Sequence, residues 1–200
     1  RGCLRTLHVA PRVGKTDSVI DLGTGTGGIP LMLSCRTPVQ RVTGVEIDAE
    51  AASVARRNIE ANGLEDRVTI IEGDYREVAG SFSEGAFTVV VSNPPYVKAG
   101  TGRVSPSRGR DAARCELRGG LKDLVAASRH LAGDTGRAYF VFPVARLFEM
   151  LRELKQAGLK TGRLRFVHTD KKKPARLFLI EAGRGAGLEL KIEEPLFLRD

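Results

Sequence analysis

The chain has 200 residues, 42% hydrophobic and 28% charged, a composition that fits one folded domain with its own core and excludes a disordered segment. Lys and Arg number 32 against 24 Asp and Glu, for a formal charge of +8, and no apolar run reaches the roughly 18 residues a membrane span needs. Cys3, Cys35 and Cys115 are odd in number and widely spaced, which excludes a disulfide framework and any CxxC metal or redox site. The chain starts at Arg1 with no apolar leader core, the pattern expected of a cytoplasmic protein trimmed at its start.

Residues 1–16 read as a lead-in, and strand and helix alternate from there on. Ser18–Leu22 is a short apolar strand followed by a glycine cluster, and Ile29–Cys35 has helical character. Pro30 is tolerated only in the first turn of a helix, so this helix starts directly beside the glycines. Arg41–Ile47 predicts a second strand and Asp48 the cap of a second helix, whose Ala51, Val54, Ala55 and Ile59 are spaced to bury one face before Asn62-Gly63 ends it. Arg67–Glu72 predicts a third strand. Ala86–Val91 predicts a fourth, its Val89-Val90-Val91 suited to burial on both faces. Ala99–Arg114, rich in Gly and Arg, has no period and reads as a long substrate loop, with 99–116 as its span in the domain. Leu117–Leu131 predicts a helix and Gly136–Phe142 a fifth strand. Val144, Leu147, Phe148, Leu151 and Leu154 line one face of the next helix, which Gly158 stops. The alternation then breaks: Leu164–His168 and Leu177–Ala182 have only a basic loop, 169–175, between them and are expected to pair as an antiparallel hairpin. Leu188–Leu198 adds an edge strand, which suits Pro195. The predicted fold is one doubly wound, Rossmann-like α/β domain over 1–200, a mostly parallel seven-stranded sheet ending in an antiparallel hairpin.

The positive charge is concentrated. Lys98–Arg118 carries a net +4, with Lys98, Arg103, Arg108, Arg110 and Arg114 among its cations, and Lys160–Arg176 a net +6, including Lys171, Lys172 and Lys173. A nearly neutral body with two basic segments suits a polyanion-binding enzyme; two solvated loops are the plainer alternative. Arg103, Arg108 and Arg110 follow the fourth strand closely enough to clamp phosphates around an extruded base.

The segment Asp21-Leu22-Gly23-Thr24-Gly25-Thr26-Gly27-Gly28 fits two patterns. Gly23, Gly25 and Gly28 satisfy GxGxxG, the dinucleotide fingerprint, with Glu46 as the ribose acid. Asp21, Gly23, Gly25 and Gly27 equally satisfy DxGxGxG, the form found in S-adenosylmethionine enzymes. Either places a nucleoside across the ends of the first two strands. Ser92-Asn93-Pro94-Pro95-Tyr96 then follows the fourth strand at the end of the sheet where ligands bind. Its prolines stiffen a turn of outward carbonyls, Asn93 adds an acceptor and Tyr96 an aromatic face, a set matched to the two hydrogens and the ring of a planar amine. Such an amine needs orientation and desolvation more than a general base, so no catalytic His is expected, and His8 and His168 read as ordinary surface or strand residues.

These motifs, together with Gly44-Val45-Glu46-Ile47-Asp48 and Gly73-Asp74, resemble the class I S-adenosylmethionine-dependent methyltransferases. Gly25–Leu31, Ala113-Arg114-Cys115-Glu116 and Phe166-Val167-His168 are similar, more narrowly, to the small-domain group that includes the valine-tRNA adenine-N6 methyltransferases. The resemblance, over Asp17 to about Leu196, implies S-adenosyl-L-methionine as cofactor and S-adenosyl-L-homocysteine as product. It implies that Asp21, Gly23, Thr24, Gly25 and Gly27 line the methionine end. Glu46 would hold the ribose, Ile47 would pack on adenine, Asp74 and Tyr75 would meet the adenine edge, and Asn93 would lie between cofactor and target. Asn93, Pro94, Pro95 and Tyr96 would grip the target base, with no metal and no membrane involved. The expected substrate is adenine N6 in RNA, tRNA first. Protein glutamine N5, guanine N2 of RNA or DNA, and an inactive RNA-binding module are the alternatives, and a nicotinamide dehydrogenase ranks last because NPPY has no role in hydride transfer. Relatives tend to carry His where Cys115 stands, and they have a longer segment before the first strand.

Overall fold

The computed structural model describes residues 13–94, 120–185 and 187–199. The expected strand-helix alternation is present as β1 (Ser18–Leu22), α1 (Gly28–Arg36), β2 (Arg41–Glu46), α2 (Ala49–Glu60), β3 (Val68–Glu72), α3 (Tyr75–Gly80), β4 (Val89–Ser92), α4 (Leu121–Ala132), β5 (Arg137–Pro143), a 3-10 turn (Val144–Arg146), α5 (Leu147–Gln156), β6 (Lys160–His168) and β7 (Ala175–Gly183). Two two-residue strands, β8 (Lys191–Ile192) and β9 (Leu196–Phe197), follow.

The sheet order is β3-β2-β1-β4-β5-β7-β6-β8, with β9 also on β6. Strands β1 to β5 are mutually parallel, β7 is antiparallel to β5, and β6 is antiparallel to β7. The expected hairpin is therefore in place, and its turn points to the same edge as the carboxyl ends of β1 to β5. The single edge strand expected over Leu188–Leu198 resolves into two short parallel pairings on β6. Pro195 lies between them, where its missing N–H costs no ladder bond.

Strand alternation sends Val19, Val89, Val91 and Val141 to a layer with Ile29, Leu33 and Ile59 of α1 and α2. Ile20, Leu22, Val90, Phe140 and Phe142 face α4 and α5. The all-valine run of β4 is buried on both sides, as its composition predicts. Helix α2 is capped by the Asp48 carboxylate, which accepts from the Ala51 N–H at 3.0 Å, and it ends with Gly63 at φ 62° and the Leu64 N–H on the Ile59 carbonyl.

Three details differ from expectation. On α2, Ala55 and Ile59 are buried as the pattern predicts, but Ala52 is buried in place of Ala51 and Val54 is only half-buried. Phe148, placed on the inner face of α5, is 88% exposed; Leu154 is buried as expected, together with Met150 and Glu153, neither of them on the predicted face. Finally, α3 is absent from the sequence reading: six residues are too short for a periodic signal, and Asp74 as its cap is the one local cue.

On β7 the carboxylate of Glu181, 1% exposed, bridges Arg137 of β5 and Arg163 of β6, and Arg163 also reaches Glu193. One buried charge thus ties the antiparallel half of the sheet together. Both arginines are partly exposed and can be rehydrated, which limits the cost of losing their partner. Glu181→Ala is expected to lose about 2 kcal/mol, read as a drop of roughly 4–8 °C in melting temperature.

Candidate active site

Parallel register aligns three strand ends at one edge. Asp21 is opposite Gly44 on β2 and Val91 on β4, so Glu46, Gly23 and Asn93 stand side by side just beyond the ladders. Strand order reverses at this point, since the chain runs outward through β2 and β3 on one side of β1 and through β4 and β5 on the other. In an open α/β sheet such a reversal is where a crevice lies, beyond the carboxyl ends of β1 and β4. The Ser92 hydroxyl donates to the Leu22 carbonyl at 2.7 Å, fully buried, and pins the end of β4 to the end of β1. Sequence reading passed over Ser92; its cue is a small hydroxyl residue closing an otherwise all-valine strand.

The glycine segment is a series of left-handed turns. Gly23, Gly25 and Gly27 have φ of 75°, 58° and 81°, whereas Gly28 is the first residue of α1 with no positive φ. All three glycines of the DxGxGxG reading thus take a conformation that favours glycine, whereas Gly28 takes ordinary helical backbone. A Cβ at Gly23 or Gly25 would meet nothing within 4 Å, so the ribbon faces open space there. It is held from below: the Gly23 and Thr24 N–H groups both donate to the Val45 carbonyl at 2.9 Å. Gly44 makes this approach possible, because a Cβ there would come within 2.9 Å of the Thr24 side chain.

Glu46 braces the loop from the side. Its Oε2 accepts from the Gly25 N–H at 2.7 Å and its Oε1 from the Asp48 N–H at 3.0 Å. Each oxygen retains a further lone pair for a ligand hydroxyl. Ile47 is half-buried beside it. Asp74, at the end of β3, caps α3 through the Arg76 N–H at 2.9 Å and also pairs with the Arg76 guanidinium. Tyr75 packs partly into the core next to it. Asn93 and Pro94 are half-buried at the crevice. Pro95, Tyr96, Lys98, Arg103, Arg108, Arg110, Arg114 and Cys115 lie outside the described residues.

Lys171, Lys172 and Lys173 form the exposed turn between β6 and β7, on the same edge as the crevice. The Lys173 ammonium pairs with Asp170 at 3.3 Å; among the described residues Lys171 and Lys172 have no carboxylate partner. His168 is bonded through Nδ1 to the Lys173 carbonyl at 2.8 Å and lies against the Phe197 ring, a structural part of the turn. Among the described residues no group of three or more His, Cys, Asp or Glu is arranged to hold a metal, and no helix is long and apolar enough to cross a membrane.

Asp21 is the electrostatic anomaly. It is fully buried on the α1 side of β1, and neither carboxylate oxygen has a hydrogen-bond partner. Burial pushes its carboxyl up to about 7; the Thr24 hydroxyl is close enough to offset part of the shift without closing a well-formed hydrogen bond, and the Glu46 charge adds to it. The native protein therefore keeps a proton that the unfolded chain loses at about pH 4. Stability falls as pH rises from about 4 to about 7 and is level above that, by at most about 4 kcal/mol for this one group. Asp21→Asn is expected to flatten that slope: its melting temperature relative to wild type should be higher at pH 8 than at pH 5. The cost of burying the amide is common to both pH values and cancels in the comparison.

Comparison with known proteins places this geometry in context. A protein of Porphyromonas gingivalis named tRNA1(Val) (adenine(37)-N6)-methyltransferase is 37% identical over 161 residues, 79% of this chain and 62% of its own length. The chain thus spans less than two thirds of that relative. A release factor glutamine methyltransferase of Chlorobaculum tepidum is 42% identical over 83 residues, covering 40% of this chain and 28% of its own. Among solved structures, a predicted O-methyltransferase of Agrobacterium tumefaciens superposes with a TM-score of 0.72 over 98% of this chain and 86% of its own, at 20% identity, a likeness of fold. A family model for the methyltransferase small domain matches residues 4–132. With its DxGxGxG turns beside Glu46 and Asn93, the chain belongs to the methyltransferase small domain family.

Proposed function

We propose that this chain is an S-adenosylmethionine-dependent methyltransferase acting on the exocyclic N6 amine of an adenine in RNA, with tRNA as the substrate class. The observation that carries the reading is the placement of Asn93 and Pro94 one strand away from an open glycine ribbon, pinned there by the Ser92 bond to Leu22. The name and coverage of the Porphyromonas relative support tRNA adenine, and the exposed lysine turn on the same edge supports a polyanion over a protein amide.

The residues present fit the cofactor. The ribbon at Gly23 and Gly25 leaves room for a ligand against the backbone, Glu46 has free acceptor capacity for ribose hydroxyls, and the unpartnered Asp21 carboxylate lies behind the turns as a negative charge in waiting. When bound, S-adenosylmethionine supplies a methyl group already activated on a sulfonium. The protein's task is then positioning. Asn93 Oδ1 and the Pro94 carbonyl serve as acceptors for the two amine hydrogens, which turns the nitrogen lone pair out of conjugation with the ring. Orientation and exclusion of water account for the remaining rate, and no group has to remove a proton before transfer. Ile47 and Tyr75 are the apolar contacts for the adenosine moiety, and Asp74 the acceptor for its amine. Pro95 and Tyr96 complete the grip on the target base, with Lys98, Arg103, Arg108, Arg110 and Arg114 contributing to RNA backbone binding. In this reading 1–200 acts as one catalytic domain in the cytoplasm.

Incubation with labelled methyl donor and total tRNA, followed by digestion to nucleosides, is expected to place the label on N6-methyladenosine. Label on protein glutamine instead would overturn the assignment. Asn93→Ala should lower kcat by about 10²–10³ with cofactor affinity nearly unchanged. Glu46→Ala should instead weaken cofactor binding by about tenfold or more, measured by calorimetry, since it removes a charged acceptor. Replacing Lys171, Lys172 and Lys173 with Ala should reduce the slope of log affinity for tRNA against log salt by about 0.7–0.9 for each phosphate no longer neutralised.

A further inference from the structure

Phe148 is the second residue of α5, reached from the end of β5 through one 3-10 turn, so it stands at the crevice edge of the sheet. Its ring is 88% exposed, although Leu147 on one side and Met150 on the other pack into the core. Isolated exposed apolar residues are ordinary on protein surfaces. This one has particular surroundings. Among the described residues the other large exposed apolar ones, Leu190, Ile192 and Leu198, all belong to the segment along β6, so Phe148 does not extend their patch by sequence or by strand pairing. The outward face of α5 continues from Phe148 through Arg152, whose guanidinium pairs with Glu153 at 2.8 Å, to Lys155, both exposed at i+4 and i+7.

The sheet carries the same chemistry onward. Pro143 at the end of β5 is opposite Leu177, so Arg176 lies just past that pair, at the crevice edge. Arg176 sits at an irregularity of the β6–β7 pairing, between Val167–Leu177 and His168–Ala175, and it is exposed. The next residues toward the turn are Lys171 to Lys173. Along this edge the order is therefore Asn93, the Phe148 region, Arg176 and the lysine turn, across three strand spacings from β4 to β6, about 14 Å. An exposed ring flanked by cations is the composition that binds single-stranded nucleic acid, by stacking bases and neutralising the backbone.

We propose that Phe148 is a stacking platform for an RNA base neighbouring the methylated one, with Arg176, Lys171 and Lys172 holding the phosphates that lead to it. The proposal rests on RNA being the substrate of the site above and goes beyond it in naming the residue that orders the flanking nucleotide. An extruded target base leaves its neighbours partly unstacked, and a ring on the same edge of the sheet as Asn93 replaces the lost stacking. Phe148 acts here as a positioning residue: it touches the substrate strand and not the reacting atoms.

The test uses the full chain and a fluorescein-labelled valine tRNA transcript. Phe148→Ala is expected to weaken tRNA affinity by about 5- to 150-fold and to raise KM for tRNA with kcat kept. Cofactor affinity should be unchanged and melting temperature preserved within about 1 °C. Phe148→Trp should restore binding, which a merely structural role would not produce. An unchanged tRNA affinity in Phe148→Ala overturns the proposal. So does a clear fall in melting temperature, which would mean the ring is covered by the chain itself. A loss of self-association in ultracentrifugation with RNA affinity intact would assign the ring to contacts between copies instead. Labelling of wild type separates this from the wider reading: if wild type binds tRNA but does not methylate adenosine, the methyl target is wrong, and loss of affinity in Phe148→Ala still upholds the platform.

Discussion

Adjacent parallel strands β1 and β4 carry the chain away from the sheet centre in opposite directions, and the gap between their exits is the constraint on which the site depends. A gap of this kind is useful only if its two walls keep a fixed offset. Sheet register provides most of that, through Asp21 opposite Val91, and the buried Ser92 hydroxyl on the Leu22 carbonyl locks the last residues where the ladder ends. Because that hydroxyl is shielded from water, its loss would leave the Leu22 carbonyl without this partner at the position from which the glycine ribbon departs. Glu46 then fixes the ribbon from the other side through the Gly25 N–H. The wall positions thus follow from hydrogen bonds that need no ligand.

Asp21 shows the other side of such preorganisation. A fully buried carboxyl without a partner opposes folding, and an apolar side chain in its place would pack with the valines of the same face. Its presence is intelligible as latent charge, held behind open turns where a cationic ligand is expected. Glu46 so close by raises the cost of ionising it, and the two acids are therefore coupled through the very loop they flank. Local strain and charge of this type concentrate at functional sites because the rest of the fold is stable enough to hold them.

The two halves of the sheet divide the work. Strands β1 to β3 build one side of the crevice from backbone turns and carboxylates. The other half, from β4 through β5, β7 and β6, presents Asn93, Phe148, Arg176 and the lysine turn along one edge. Strand β6 runs parallel to β5, so its turn into β7 lies at the carboxyl edge, and β7 returns from there antiparallel between the two. Glu181 and its two arginines secure that insertion at the opposite end.

Local chemistry made most of the fold legible. The valine run of β4, the Asp48 cap, Pro30 beside the glycines, Gly158 after α5 and the two helix-free strands at the end each act over a few residues, so sequence alone determined the strand-helix alternation, the hairpin and the stretch that carries the nucleoside turns. The left-handed turns needed the backbone, because spacing satisfies both GxGxxG and DxGxGxG, and the φ angles show that Gly23, Gly25 and Gly27, but not Gly28, take a conformation that favours glycine. The exposed Phe148, the buried Ala52 of α2, the orphaned Asp21 and the Ser92 bond were decided by tertiary structure. Each depends on which face a neighbouring element covers or on contact between residues far apart in the chain, 70 positions for Ser92 and Leu22, and neither quantity is present in a residue's own neighbourhood.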